Sequence, residues 1–179
     1  METLATPTTK WVLDPSHSEL MFKVKHLMIS NVKGVFSNFS VEAAGDDITT
    51  APIKVVIDAA SIDTHDATRD GHLKSADFFD AENHKEIVFN STSFRSTGDN
   101  NYKLTGMLTI KGISKEVTLD VESGGVMKDP WGNQKTGFSV SGKINRNDWG
   151  MHWNAALEAG GVLVSEEVRI NAEVQFVKQ

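Results

Sequence analysis

The chain has 179 residues and a formal net charge of −6, 39% of its residues are apolar, and it contains no cysteine. This length suits one compact domain, and the acidic balance argues against a general nucleic-acid binder, because such proteins need clustered lysine and arginine. The absence of cysteine excludes a disulfide framework, a zinc–thiolate site, a cysteine nucleophile and a cysteine lipid anchor.

The N-terminal residues METLATPTTK lack the basic start and the apolar run of a secretory signal. We expect residues 1–10 to form a flexible extension of a single domain that covers residues 1–179. No stretch of the chain approaches the roughly 18 uninterrupted apolar residues of a membrane-spanning helix. The sequence as written predicts a cytoplasmic protein, and a periplasmic or secreted one only if a leader has been removed.

Apolar and polar residues alternate with a period of two through much of the chain. The clearest runs are residues 19–26, 53–57, 102–111, 116–122 and 167–176. Each run has one face suited to water and one suited to a core, which is typical of antiparallel sheets. Turn-forming residues separate the runs. The pattern therefore predicts an all-β sandwich or barrel.

Residues 64–83 interrupt this alternation after the third predicted strand. Thr64 or Asp66 can cap a short helix, and a second helical turn follows with Phe78 and Phe79. Two adjacent phenylalanines are too large to leave in water, so this insertion must fold back onto the sheet. We predict short helices between the third and fourth strands, lying over one end of a barrel.

Several strands carry small residues where a packed core would need large ones. Gly34, Gly106, Gly137, Ser139 and Ser141 are of this kind. These residues either curve the sheet or leave an elongated apolar tunnel inside a closed barrel of about eight strands, which has room for one ligand. Alternation alone does not decide between the two interpretations.

A set of motifs in a fixed order resembles the YceI-like family of polyisoprenoid-binding, lipocalin-like proteins, over residues 11–177. The matching segments are WVLDPSHS at 11–18, VKGVF at 32–36, SIDT at 61–64, RDGHLKSADFFD at 69–80, GMLTIKGISK at 106–115 and NRNDWG at 145–150. The chain departs from the family at residues 83–86, where NHKE replaces the usual Tyr-Pro. We also expect no secretory leader of the kind that part of the family carries.

The resemblance implies a lipocalin-like closed antiparallel β-barrel, a homodimer, and a pocket for a long isoprenoid such as a polyprenyl pyrophosphate or a quinone. We expect no cofactor and no metal. The apolar tunnel is predicted to be lined by Phe22, Phe36, Phe39, Leu73, Phe78, Phe79, Phe89, Leu108, Phe138, Trp149 and Trp153.

His17, Arg69, His72 and Arg146 are predicted to form a polar mouth. Arginine binds phosphate oxygens bidentately, which suits a pyrophosphate head group. The alternative for the two arginines is an ion pair with a neighbouring aspartate, Arg69 with Asp66 and Arg146 with Asp148.

Two further arrangements have alternative interpretations. Asp14, Ser16 and His17 contain the residue types of a nucleophilic triad, but residues this close in sequence are more typical of a turn. His65 and His72 can share one helix face as metal ligands, but the pattern is unspecific and a solvated helix is the better explanation.

Three functional hypotheses follow. The first is a non-enzymatic protein that binds, sequesters or transports a polyisoprenoid lipid, and we favour it. The second is a small-molecule enzyme that uses the polar residues of the barrel mouth. The third is a stress-related interaction module whose barrel surface is the functional part.

Overall fold

The computed structural model describes residues 10–27, 29–45, 47–154 and 163–178. They contain one α-helix, α1 (Ala67–Lys74), and short 3₁₀ turns at Pro15–His17, Ile48–Thr50, Ala59–Ser61 and Arg146–Trp149. The strands are β1 (Lys10–Leu13), β2 (Glu19–His26), β3 (Ser30–Phe36), β4 (Phe39–Ala44), β5 (Ile53–Asp58), β6 (Ile62–Asp63), β7 (Glu86–Gly98), β8 (Asn101–Ile110), β9 (Ile113–Lys128), β10 (Gln134–Asn145) and β11 (Val164–Lys178).

The first six strands act as three long, bent strands. β1 pairs with β4 while β2 pairs with β3, and β4 pairs with β5 while β3 pairs with β6. Each bent strand is thus interrupted once: the first at Pro15–His17, the second between Phe36 and Phe39, and the third at Ala59–Ser61, close to its end. Together with β7 to β11 they make eight antiparallel barrel strands.

The long strand β11 closes the barrel. One edge of β11 pairs with β10, and its other edge pairs with β2 and then with β1. This closure leaves a ring without a free edge along most of its circumference, and it confirms the predicted eight-stranded antiparallel barrel. β1 already begins at Lys10, the last residue of the predicted extension; residues 1–9 lie outside the described residues.

The helix α1 lies between the third and fourth barrel strands, as predicted. β6 is two residues long and pairs with β3, so α1 and the turns after it occupy the space between β6 and β7. Phe78 is buried there, and the ring of Phe79 meets that of Phe36 edge-on with centroids 5.7 Å apart. The second predicted helix is wrong, because Phe78 and Phe79 lie in hydrogen-bonded turns.

The start of α1 resolves the choice between two capping residues. Asp66 is the N-cap, since its carboxylate accepts a hydrogen bond from the backbone N–H of Arg69 at 3.0 Å. Thr64 is instead buried, and its backbone N–H donates to the Asp70 carboxylate at 2.9 Å.

Two strand glycines make room for aromatic rings. A Cβ on Gly34 would lie 2.4 Å from the ring of Phe22, and one on Gly106 would lie 2.4 Å from the carbonyl oxygen of Asn90 and 2.6 Å from the ring of Phe89. These glycines let phenylalanine rings cross the neighbouring strand at close range. Neither of the two interpretations from the sequence anticipated this role.

Within the described residues, the structure contains no helix of the length and hydropathy needed to span a bilayer.

Candidate functional site

The barrel interior contains a main cavity of about 400 Å³. That volume lies within the usual range for small-molecule sites. Its apolar wall consists of Leu20, Met21, Phe22, Val24, Val32, Phe36, Ile57, Leu73, Phe78, Phe79, Ile87, Leu108, Ile110, Ile144, Met151, Trp153, Leu163, Val164, Val168 and Ile170. The polar wall residues are His26, Asp66, Thr68, Arg69, His72 and Arg146. Among these, Asp66 and Thr68 are exposed and mark the rim at the start of α1.

A second cavity of about 150 Å³, which we call the inner cavity, lies further along the barrel interior and is lined by apolar residues. Leu20, Ile57, Leu108 and Ile170 line both cavities. A ring of four aliphatic side chains, one from each of β2, β5, β8 and β11, therefore borders both cavities. Wall residues of the two cavities follow β11 from its first residue to Phe176, a path of roughly 40 Å at the rise of an extended strand.

The structure brings most of the predicted apolar residues to these cavities. The main cavity takes Phe22, Phe36, Leu73, Phe78, Phe79 and Trp153, the inner cavity takes Phe39, Phe89 and Phe138, and Leu108 borders both. Trp149 lines neither of them. Its indole N–H donates to the carbonyl oxygen of Leu108 at 2.9 Å, and the side chain is fully buried in the protein core.

The prediction missed the aliphatic part of the wall. Val24 on β2 and Val168 and Ile170 on β11 line the main cavity, and all three stand at alternating positions within runs that the sequence identified as strands. The signal was present in that alternation. The predicted site, however, was built from aromatic residues and two leucines.

Arg69 is held on the cavity wall by Thr64. Its Nε donates to the Thr64 hydroxyl at 2.8 Å and its Nη2 to the Thr64 carbonyl oxygen at 2.7 Å. Nη1 has no hydrogen-bond partner among the described residues. The alternative ion pair between Arg69 and Asp66 does not form among the described residues. The guanidinium binds Thr64, and the Asp66 carboxylate caps the helix.

His72 forms part of the wall on the next turn of α1. Its Nε2 lies 2.9 Å from a carboxylate oxygen of Asp77. Its ring meets the ring of Trp153 edge-on at 4.6 Å and that of Phe78 at 5.1 Å. His72 thus links the polar rim to the aromatic wall.

Arg146 is buried, and its hydrogen bonds go to the backbone. The guanidinium donates to the carbonyl oxygens of Ser165 at 2.9 Å, Met151 at 2.7 Å, Trp153 at 2.8 Å and Val164 at 3.2 Å. Four of its five N–H groups are therefore already used. This geometry corrects the prediction of a bidentate phosphate ligand.

The charge of Arg146 is balanced without a close carboxylate. Burial lowers the pKa of the guanidinium, and the more distant Glu166 acts in the opposite direction. The predicted alternative, an ion pair with Asp148, is absent from the described residues. Backbone carbonyl dipoles replace a carboxylate here.

Comparison with known proteins identifies the family. Residues 11–176 match the YceI-like domain. The chain belongs to the YceI-like family. UPF0312 proteins of Staphylococcus epidermidis and Staphylococcus aureus are 44% identical to it over 171 residues, covering 94% of this chain and 97% of each relative.

Solved structures of similar proteins support the same assignment. The YceI protein of Campylobacter jejuni is 36% identical, has a TM-score of 0.76, and covers 87% of this chain and 90% of its own. BcnA of Burkholderia cenocepacia is 25% identical with a TM-score of 0.76 over 91% and 98% of the two chains. A polyisoprenoid-binding domain from Saccharophagus degradans shares the fold, with a TM-score of 0.71 at 14% identity over 94% and 98%.

In this YceI-like barrel, His17 lies far from the other predicted mouth residues. The neighbouring Asp14 N–H donates to the carbonyl oxygen of Gln175, near the end of β11, whereas Arg146 bonds to Val164 at its start. The two positions are about 37 Å apart along the strand. The prediction of His17 at the mouth of the main cavity is corrected.

The cluster around Asp14 is a capped turn. The carboxylate accepts hydrogen bonds from the Ser16 hydroxyl at 2.7 Å and from His17 Nδ1 at 2.8 Å, and these bonds, that of Ser16 first, lower the pKa of Asp14 to about 2. The Ser16 hydroxyl also lies 3.1 Å from the same Nδ1. A triad needs serine and aspartate on opposite ring nitrogens, so the turn interpretation is confirmed.

The histidines on and before α1 have separate carboxylate neighbours. His65 Nδ1 lies 3.8 Å from Asp63, while His72 faces Asp77. Across the described parts of the chain, no three His, Asp or Glu side chains converge as metal ligands.

Proposed function

We propose that this protein binds a long-chain polyisoprenoid lipid and sequesters or transports it without chemical change. The observation that carries the proposal is the pair of mainly apolar cavities that share a ring of four aliphatic wall residues. Burying hydrocarbon contributes roughly 0.8 kcal/mol per CH₂. A tail that fills the main cavity and passes the ring into the inner one gains this energy along its length.

Family membership supports the same ligand class. A domain of the same fold from Saccharophagus degradans is described as polyisoprenoid-binding. At 14% identity that likeness concerns the fold, so the weight of the proposal rests on the cavities of this chain.

The polar groups at the rim favour a neutral head group. Arg69 has one guanidinium nitrogen without a partner among the described residues, Asp66 stands on the same helix, and Arg146 is committed to backbone carbonyls. A pyrophosphate needs several cationic donors, whereas a quinone carbonyl needs one hydrogen bond. We therefore propose an isoprenoid quinone, with its ring near Arg69 and His72, over a polyprenyl pyrophosphate.

Native mass spectrometry tests the proposal directly. Protein purified without added lipid, or incubated with a long-chain isoprenoid quinone, should carry one such molecule per chain and release it unchanged. A polyprenyl pyrophosphate of equal length should bind more weakly. An empty barrel that takes up neither ligand contradicts the proposal, as does release of a ligand with an altered mass.

A pair of variants tests whether the tail passes between the cavities. Ile170→Phe enlarges one of the four aliphatic residues that border both cavities. Its control, Val56→Phe, places the same phenyl group on the outer side of β5, since the flanking Val55 and Ile57 face inward. Ile170→Phe should weaken binding of long-chain quinones by tenfold or more and leave short-chain analogues unaffected. Equal binding of long chains by both variants would mean that the tail stays in the main cavity.

The predicted homodimer stays a prediction. Analytical ultracentrifugation of the purified protein checks it.

A further inference from the structure

The turn between β2 and β3 exposes apolar side chains to solvent. Ile29 is 85% exposed and Leu27 is 40% exposed, and the intervening residue in the sequence is a methionine. The backbone of Leu27 has a φ of 54°. Tight hairpins prefer Asn or Gly in this left-handed region, so the turn itself gains nothing from a leucine there.

This apolar tip is next to the main cavity. His26 and Val32, on the two strands that lead into the turn, both line the cavity. The backbone N–H of Leu27 donates to the carbonyl oxygen of Leu163 at 2.9 Å, and Leu163 is a further wall residue. Whatever contacts the tip is therefore brought close to the cavity wall.

A row of cations crosses the outer face of the barrel behind the tip. Strand register places in line, on four adjacent strands, Lys143, Arg169, Lys23 and Lys33. At about 4.8 Å per strand the row spans about 15 Å. Lys25 is exposed one step nearer to the tip. Like charges directly opposite each other destabilise a sheet, so folding does not account for this row.

Among the described residues, one acid forms ion pairs with the row. Glu167 approaches Lys143 and Arg169, each at 3.7 Å. Its single negative charge leaves the row and Lys25 with a local excess of positive charge, in a chain whose overall charge is −6.

We propose that the β2–β3 hairpin docks the barrel onto an anionic phospholipid bilayer. The tip, Leu27 and Ile29, enters the headgroup region, and the basic row contacts the lipid phosphates, as in other interfacial anchors. Docking in this orientation brings the main cavity to the membrane, where the lipid of the proposed function would be exchanged; that last step rests on the proposed function. A second copy of the chain fits this surface poorly, because a two-fold interface would set one basic row against the other.

Vesicle sedimentation tests docking with no isoprenoid present. The wild-type protein should sediment with vesicles made of equal amounts of phosphatidylcholine and phosphatidylglycerol, much less with phosphatidylcholine alone, and less at high salt. The tip variant Leu27→Asn/Ile29→Ser should lower vesicle binding about tenfold or more, because it removes the apolar side chains that enter the headgroup region. The row variant Lys33→Gln/Arg169→Gln should lower it by a similar factor, since each cation near an anionic surface contributes about a fivefold factor.

Two control variants carry matched changes elsewhere. Met127→Ser/Trp131→Ser removes residues that are 73% and 81% exposed on the β9–β10 hairpin, and Lys54→Gln/Lys128→Gln removes the same net charge from exposed positions. Both should bind vesicles as the wild-type protein does. Circular dichroism melting shows that each variant is folded.

Three outcomes overturn the proposal. In the first, the tip variant sediments with vesicles like the wild-type protein. In the second, the control variants lose as much vesicle binding as the tip and row variants do. In the third, the wild-type protein does not bind vesicles and the tip variant converts a dimer to a monomer. Ligand uptake in detergent, followed by native mass spectrometry, keeps the two proposals separate. Protein that loads quinone but ignores vesicles refutes docking alone, and protein that docks but never loads quinone refutes the proposed function alone.

Discussion

Replacing Arg146 should destabilise the fold more than it changes ligand binding. Its guanidinium holds the carbonyl oxygens of Met151, Trp153, Val164 and Ser165. Hydrogen bonds from a charged donor contribute roughly 1.5–3 kcal/mol each, and the cost of burying the charge offsets part of that sum. Arg146→Met removes this donor from all four carbonyls, of which that of Val164 keeps a hydrogen bond from the Asn154 amide at 2.7 Å. We expect a loss of about 4 kcal/mol in the free energy of unfolding.

Arg146→Lys is the matched variant that keeps the charge. A lysine has three N–H groups on one nitrogen and lacks the planar fork of arginine, so it reaches only part of the carbonyl set. We expect this variant to lose about 2 kcal/mol, roughly half of the methionine effect. Urea unfolding followed by circular dichroism measures both differences, with the slope of the transition unchanged.

Quinone binding by the folded variants separates the structural role from a ligand role. If Arg146 serves to hold these backbone carbonyls, Arg146→Lys binds quinone within a few-fold of wild type under conditions in which it is folded. Wild-type stability in Arg146→Lys combined with loss of ligand binding would refute the reasoning, because it would make Arg146 a head-group ligand.

Three other substitutions test the packing and the caps by thermal or urea unfolding. Gly106→Ala should destabilise the fold by about 2 kcal/mol or more, because the new Cβ would lie 2.4 Å from the carbonyl oxygen of Asn90. Its control, Gly71→Ala in α1, should stabilise the fold by about 1 kcal/mol, because a Cβ there would meet no neighbouring atom within 4 Å. Equal effects of the two substitutions would contradict the packing argument. Trp149→Phe should lose about 1 kcal/mol with the buried indole hydrogen bond, and an unchanged midpoint would contradict that role. Asp14→Ala should lose about 1 kcal/mol at neutral pH through the missing cap. Because the folded pKa of Asp14 is lowered from 3.8 to about 2, its contribution is present above pH 4 and lost as the pH falls toward 2, so a difference that persists at pH 2 would contradict it.

Much of the barrel could be predicted because its strands repeat a local pattern. The alternation of residues 167–176 places Val168, Ile170, Ala172, Val174 and Phe176 on the inner face, and the structure finds all of them on cavity walls. The break in alternation after the third strand likewise marks α1. Both signals are local, so neighbouring residues suffice to read them.

The candidate site could be predicted only in part. Aromatic residues such as Phe22 and Trp153 line the main cavity as expected, while Trp149 packs elsewhere, since size and hydrophobicity do not distinguish a cavity wall from a solid core. His17 and Arg146 were grouped by chemical type, but they lie near opposite ends of β11. Their separation depends on the pairing of Asp14 with Gln175, a residue more than 100 positions later in the chain.

The sequence by itself determined the all-β class, the position of the helical insertion, the alternation of apolar and polar faces along the long strands, and the family. These follow from composition, periodicity and motifs, which are properties of short segments. Only the tertiary structure decided that Arg146 is committed to backbone carbonyls, that four aliphatic residues line two neighbouring cavities, and that Lys23, Lys33, Lys143 and Arg169 form one row. These features depend on the register of strands distant in the chain, and a shift of one residue in that register would turn every side chain to the opposite face.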